Sequence, residues 1–213
     1  MPTLSEAESK RVLAAHGVAF PSEHEVADPA AAEAAAADVG FPVVVKLGGA
    51  GIAHKTERGL VRLGLADGDD VRSAAEELLA AARPEDGQVH LLVAPMLKGS
   101  RELIAGLHRD AQFGMTVMLG IGGVLTEALA DVAFRLVPIT RLDAMEMIDD
   151  LATQALLGEV RGEPALDREA MADVLVALSQ AAEADPTIVS ADLNPLIVVD
   201  GQPVPVDALV EVA

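Results

Sequence analysis

The stretch from Gly40 to Leu65, GFPVVVKLGGAGIAHKTERGLVRLGL, leaves this chain few options. It opens on a turn signal, Gly40-Phe41-Pro42, and passes into an apolar run, Val43-Val44-Val45, that ends on Lys46. A glycine-rich segment follows, Gly48-Gly49-Ala50-Gly51, then the polar cluster His54-Lys55-Thr56-Glu57-Arg58-Gly59, then an alternating run from Leu60 to Leu65. Two short strands separated by glycines predict a hairpin, here called the phosphate hairpin, residues 41–65. Backbone N–H groups at its tip can face an anion, and lysines at its mouth can neutralise it. An ordinary hairpin with a solvated tip fits the same pattern, because the spacing is not that of a P-loop.

On either side of the hairpin, helices and strands alternate. Ser5 to His16 reads as a helix, with Ser5 and Glu8 as a capping box and Gly17 as its stop. Val18 to Val26 reads as an extended connection. Asp28-Pro29 opens an alanine-rich helix that ends at Gly40. Asp67 to Arg83 is a third helix, with Val71, Ala75, Leu78, Leu79 and Ala82 on one face. Strands are expected over Gln88–Met96, Arg101–His108, Met115–Leu119 and Val132–Pro138. Helices are expected over Thr140–Leu151 and Asp167–Ala184, with Gly158–Pro164 an exposed link. The end reads as strands Ile188–Leu193, Leu196–Val199 and Val204–Val206. The expected class is α+β: two lobes of mixed or antiparallel sheet with flanking helices and a cleft between them. The lobes are expected over 1–97 and 98–213, with the boundary near Met96–Ser100.

Composition narrows the function. Hydrophobic residues make up 51% of the 213, enough for a sizeable core. Aromatic residues are 2%, with no Trp and no Tyr, and the net charge is -19. That balance lacks stacking platforms and repels nucleic acid and anionic membranes. No run approaches the roughly 18 apolar residues of a membrane span. There is no cysteine, hence no disulfide framework, and MPTLSEAESK lacks the features of a signal peptide. A cytoplasmic protein is expected.

Several residues are candidates for chemistry. Lys46 ends a buried strand and needs a partner, either a phosphate or, by snorkelling, solvent. Lys55 reads as a solvated loop residue. His54 sits in the glycine-flanked tip, either as a surface residue or as a phosphoryl acceptor. Asp192 and Asn194 lie two apart and so share one face of an extended chain. With Asp207 on the next strand they form a hard-oxygen set suited to Mg²⁺, or else an Asx turn beside a surface aspartate. If Val93 to Met96 is a hinge between lobes, its free backbone groups can read a base edge and Glu102 can take ribose hydroxyls. Glu127 is a cleft acid or a helix-start charge. Asp110 and Arg135 read as structural.

The ordered set PVVVK, HKTERG, VAPMLKGSRELIAG, RDAQFG, GIGGVLTE, ADLNPL and PVDA resembles the ATP-grasp domain of ADP-forming acyl-CoA synthetases. This is the β part of acetate–CoA ligase (ADP-forming), related to the β subunit of succinyl-CoA synthetase. The resemblance spans nearly the whole chain. It implies that Lys46 binds nucleotide phosphates, Val93 to Met96 hold adenine, and Glu102 holds ribose; Lys55, in the same hairpin as Lys46, is a further cofactor-binding candidate. It further implies that Asp192, Asn194 and Asp207 hold Mg²⁺ or phosphate. His54 is then a second phosphohistidine, relaying a phosphoryl group between the partner's histidine and ADP or ATP. Two positions depart from the family's pattern. Ala94-Pro95-Met96 replaces Gln-Glu-Met, and Leu209 replaces a basic residue. The CoA-binding α part is absent from these residues, so a separate subunit or an excised domain is expected. The alternative is a non-catalytic ATP-grasp module of a larger protein, such as a protein lysine acetyltransferase.

Overall fold

The computed structural model describes residues 2–49, 52, 55, 58–123 and 130–213; His54 and Glu127 therefore lie outside the described residues. The chain divides into two compact units. One comprises Ser5–Ala7 and Pro21–Leu97; the other comprises the first few residues, Glu8–Phe20 and Lys98–Ala213. Helix α1 (Glu6–Ala14) thus gives its first residues to one unit and its remaining turns to the other.

In the unit containing the hairpin, strands β1 (His24–Val26), β2 (Val43–Gly49), β3 (Val61–Leu65) and β4 (Val89–Pro95) form an antiparallel sheet in the order β1-β4-β2-β3. Every residue of β2 is buried. Val43, Val45 and Leu47 lie under the two helices on its sheet, α2 (Pro29–Val39) and α3 (Gly68–Ala80), while Lys46, on the other face, meets Glu6. Ala32 and Ala36 of α2, and Val71, Ala75 and Leu78 of α3, close a core with Val43, Val45, Leu47, Leu91 and Val93. Alanines on α2 let the helices approach closely, at no rotamer cost. Both helices start where the sequence places them: the Asp28 carboxylate accepts from the Ala31 N–H at 2.9 Å, and Asp67 from the Asp70 N–H at 2.9 Å.

The hairpin differs from expectation in one respect. Gly48 and Gly49 are strand, not loop, pairing with His90 and Val89 of β4. Their missing side chains are used for packing. A Cβ on Gly48 would lie 2.3 Å from His90 Nε2, and one on Gly49 would lie 3.1 Å from the Asp86 carbonyl.

The other unit is built on strands β5 (Glu102–Asp110), β6 (Gly114–Ile121), β7 (Val132–Leu136), β8 (Ile188–Val199), β9 (Gln202–Pro205) and β10 (Leu209–Val212). The sheet runs β10-β8-β5-β6-β7, with β9 pairing β8. Helices α4 (Arg141–Asp150) and α5 (Arg168–Ala184) cover one face. Met147, Ile148, Met171, Leu175 and Leu178 pack there on Leu103, Ala105, Leu107, Val117, Leu119 and Leu193. Register puts Asp192, Gly106, Met118 and Phe134 in one row on the opposite face.

Glu8–Phe20 were expected in the N-terminal lobe but cluster with the C-terminal unit, because Leu13 and Val18 enter its core. The Leu4 N–H donates to the Val210 carbonyl at 2.9 Å, and the Val210 N–H to Ser9 Oγ at 3.0 Å. The two expected strands over 188–199 are one strand, and the register on β5 shifts between Leu103 and Ala105. The link Gly158–Pro164 is a small reversal. Val160 and Glu163 exchange backbone hydrogen bonds around Arg161 (φ 51) and Gly162 (φ 87). Buried Arg101 fastens it, donating to the carbonyls of Leu156, Gly158 and Pro164. Asp110 and Arg135 are structural, as read: Asp110 accepts from the Gln112 and Phe113 N–H groups, and Arg135 pairs with Asp150.

Candidate functional site

Lys46 and Lys55 are brought to one point. Lys46 sits on β2, opposite Val61 of β3 and Leu92 of β4. Lys55 follows in the hairpin, where its carbonyl accepts the Leu60 N–H at 2.8 Å. Their ammonium groups each lie 2.8 Å from the Glu6 carboxylate, Lys46 at Oε1 and Lys55 at Oε2. The Glu6 side chain is 0% exposed and those of Lys46 and Lys55 are 11% and 7% exposed. Neither lysine is the solvated or snorkelling residue that the sequence left open. The trio carries a formal +1 inside a chain of net charge -19. Sequence reasoning missed Glu6. It stands in the first turn of a helix whose next acidic residue, Glu8, is exposed. No local pattern separates the two.

The base of the hairpin is pinned by Arg58. Its guanidinium makes a two-pronged pair with Asp86, at 2.7 and 2.9 Å. Asp86 is fully buried, and the Arg83 N–H also donates to it, at 2.8 Å. The Arg58 hydrogen bonds and then that of Arg83 hold the Asp86 carboxyl at about 2, below its usual 3.8. Folding therefore favours the ionised form. The contribution is present above about pH 4 and is lost as pH falls through about 2. Asp86→Asn is expected to lower stability at neutral pH and to flatten the fall in stability between pH 4 and 2, read by denaturant titration at each pH. A variant with the wild-type acid slope contradicts this assignment.

The hinge candidates are less open than expected. Val93 pairs with His24 of β1 on one side and Val45 of β2 on the other. The Met96 N–H donates to the Pro42 carbonyl at 3.0 Å. Their backbone groups are thus largely engaged in the sheet. The β1 ladder stops at Val93, however. Alternation along the strand turns the Pro95 carbonyl toward that vacated edge, with no N–H beside it.

In the other unit, Glu102 begins β5 with its carboxylate against Gly123, where a Cβ would lie 3.3 Å from Oε2. Its carbonyl accepts the Gly122 N–H at 2.8 Å. Glu102, Gly122 and Gly123 line a cavity of about 260 Å³ with Ile121, Leu156 and Val198. Asp192 and Asn194 share the exposed face of β8, alternating with buried Ala191 and Leu193. Asp192 pairs with Leu209, and the Val206 N–H donates to the Pro195 carbonyl, which brings Asp207 level with Asn194. Partial desolvation, and then the charge of Asp207, push the Asp192 carboxyl above its usual value, while a hydrogen bond from the Asn194 side chain opposes them. Among the described residues no group of three or more His, Cys, Asp or Glu side chains gathers to hold a metal. Asp192, Asn194 and Asp207 together offer two carboxylates and one amide oxygen.

Residues 2–212 match the family model of the ATP-grasp domain. This chain belongs to the ATP-grasp family. The β subunit of acetate–CoA ligase [ADP-forming] I from Pyrococcus furiosus is 34% identical over 208 residues, covering 96% of this chain and 90% of that one. An acetyl-coenzyme A synthetase 1 from Candidatus Korarchaeum cryptofilum, solved with coenzyme A, Ca-AMPCP and HgCl+, superposes with a TM-score of 0.91. It is 32% identical, over 100% of this chain and 94% of that one. A second structure of that enzyme holds coenzyme A and Mg-AMPPCP, with its phosphohistidine segment pointing towards the nucleotide-binding site. Its TM-score is 0.85 at 32% identity, over 100% of this chain and 93% of that one. The likeness to these ADP-forming ligase chains runs over nearly the whole sequence, and the α+β expectation stands with it. Among the described residues no helix is long and apolar enough to cross a membrane.

Proposed function

We propose that the chain binds ADP or ATP with Mg²⁺ and passes a phosphoryl group between the nucleotide and His54, on behalf of a CoA-binding α domain or subunit. The observation that supports this best is the meeting of Lys46 and Lys55 on Glu6, which sets two ammonium groups side by side. The lysines take the phosphate oxygens. Asp192, Asn194 and Asp207 suit a divalent cation, since desolvation and then the charge of Asp207 disfavour the ionised Asp192 carboxyl and a cation there relieves both. When bound, the cation neutralises charge on the transferring phosphoryl group. In the ATP-consuming direction His54 displaces ADP. A P–N bond forms, the bond between the γ-phosphorus and the bridging oxygen breaks, and the imidazole gives up its N–H proton. Glu102 and the Pro95 carbonyl are the candidates for ribose and base.

The test is a thermal melt with ADP or ATP, with and without Mg²⁺. Ligand at a hundredfold excess over Kd adds about 2.7 kcal/mol. For a chain of this size that raises Tm by roughly 5–10 °C. The rise is expected to need Mg²⁺ and to vanish in Lys46→Ala. A folded chain with no rise refutes nucleotide binding by this part alone. One observation favours that second reading, a module that has lost its nucleotide: at the hinge Pro95 has no N–H and that of Met96 is already taken.

A further inference from the structure

Nothing in the proposed reaction uses Glu6, yet it is the most deeply buried member of the lysine cluster. Burying one ammonium is costly, and burying two side by side is costlier, because like charges repel in a weakly polar surrounding. A carboxylate between them offsets part of both costs when each oxygen takes one ammonium. The observed arrangement is that one, with Lys46 Nζ at 2.8 Å from Oε1 and Lys55 Nζ at 2.8 Å from Oε2. One carboxylate thus links the two ammonium groups and limits how far apart they can stand. The order of burial matters too. Glu6 is 0% exposed and both lysines retain some exposure, so an anion arriving from solvent meets the ammonium groups first. It need not displace Glu6. Lys46 is fixed on a rigid central strand, while Lys55 is held by its carbonyl to Leu60 and by its ammonium to Glu6.

We propose that Glu6 is the positioning residue for the phosphate-binding lysines: its carboxylate sets the separation of Lys46 and Lys55, and with it the affinity for the nucleotide's phosphates. The inference rests on the nucleotide-binding reading above. A side chain that served stability alone would act on every ligand through the folded fraction. One that places the lysines acts on the phosphate part of the ligand and spares the nucleoside part.

The experiment is a titration of the full chain with Mg-ADP and, separately, with adenosine, for the wild type, Glu6→Gln and Lys46→Ala, with the ligand-free Tm of each. Glu6→Gln is expected to weaken Mg-ADP at least tenfold and leave adenosine within twofold, so that the gain in affinity from the phosphates shrinks. Lys46→Ala is expected to show the same pattern. If Glu6→Gln fails to fold, Glu6→Asp keeps the charge but draws the carboxylate back by one methylene. It is expected to lose Mg-ADP affinity several-fold, with adenosine unchanged. Wild-type Mg-ADP affinity in a folded Glu6 variant overturns the proposal, and so does an equal loss for both ligands. If Lys46→Ala loses Mg-ADP while the Glu6 variants do not, the positioning role fails and nucleotide binding stands. If the wild type binds no Mg-ADP, the nucleotide reading fails and takes this one with it.

Discussion

His54→Ala is expected to lower turnover of the assembled ligase by a factor on the order of 10³ or more, because removing a covalent nucleophile removes the pathway rather than a contact. The same variant is expected to keep the Mg²⁺-dependent rise in Tm with ADP, since Lys46 and Lys55, the proposed phosphate ligands, are untouched. The pair of readouts separates relay from binding. Ile52 and Lys55 flank His54 closely in sequence. Ile52 is buried in the apolar core of its unit, and Lys55 is paired to Glu6. Turnover within tenfold of wild type, measured as ATP formation in the reconstituted enzyme, refutes the relay.

Arg101→Ala is expected to destabilise the chain by about 3–5 kcal/mol, the range for breaking a buried ionic network. That corresponds to a fall in Tm of roughly 6–20 °C. The guanidinium is 5% exposed and donates to three carbonyls, with Glu163 Oε2 at 3.4 Å from its Nε. Removing it leaves those acceptors without their donor and Glu163 without its counter-charge. Lysine is a poor replacement, because a single ammonium cannot fan out to three separate oxygens. A denaturant midpoint close to wild type in Arg101→Ala contradicts this account.

The parts legible in the sequence are those written locally. Asp28, Asp67 and Asp167 announce their helices because a short acceptor before an apolar-periodic run has one economical use, and each accepts from the residue three positions on. The identity of the sheet residues follows from alternation. What was not legible depends on partners distant in sequence. Gly48 and Gly49 look like loop until His90 and the Asp86 carbonyl are seen to need their missing side chains. Strand β10 is four residues long, and what fixes it is pairing with β8 and with the first residues of the chain. At the site, Lys46 was found because a lysine ending a valine run demands a partner. The partner present, Glu6, is 40 positions away and carries no mark of its own.

The unit closed by Leu4, Ser9 and Val210 joins residues 201 positions apart between Ser9 and Val210. At synthesis rates of about 5–20 residues per second, the N-terminal segment waits roughly 10–40 s before Val210 exists to receive it. The sheet of Pro21–Leu97 has all of its strands well before then. Birth order and assembly order thus differ along this chain. Of these residues the segment made earlier is among the last to settle, and in the meantime its apolar residues, Leu13 and Val18 among them, lack the core they later enter.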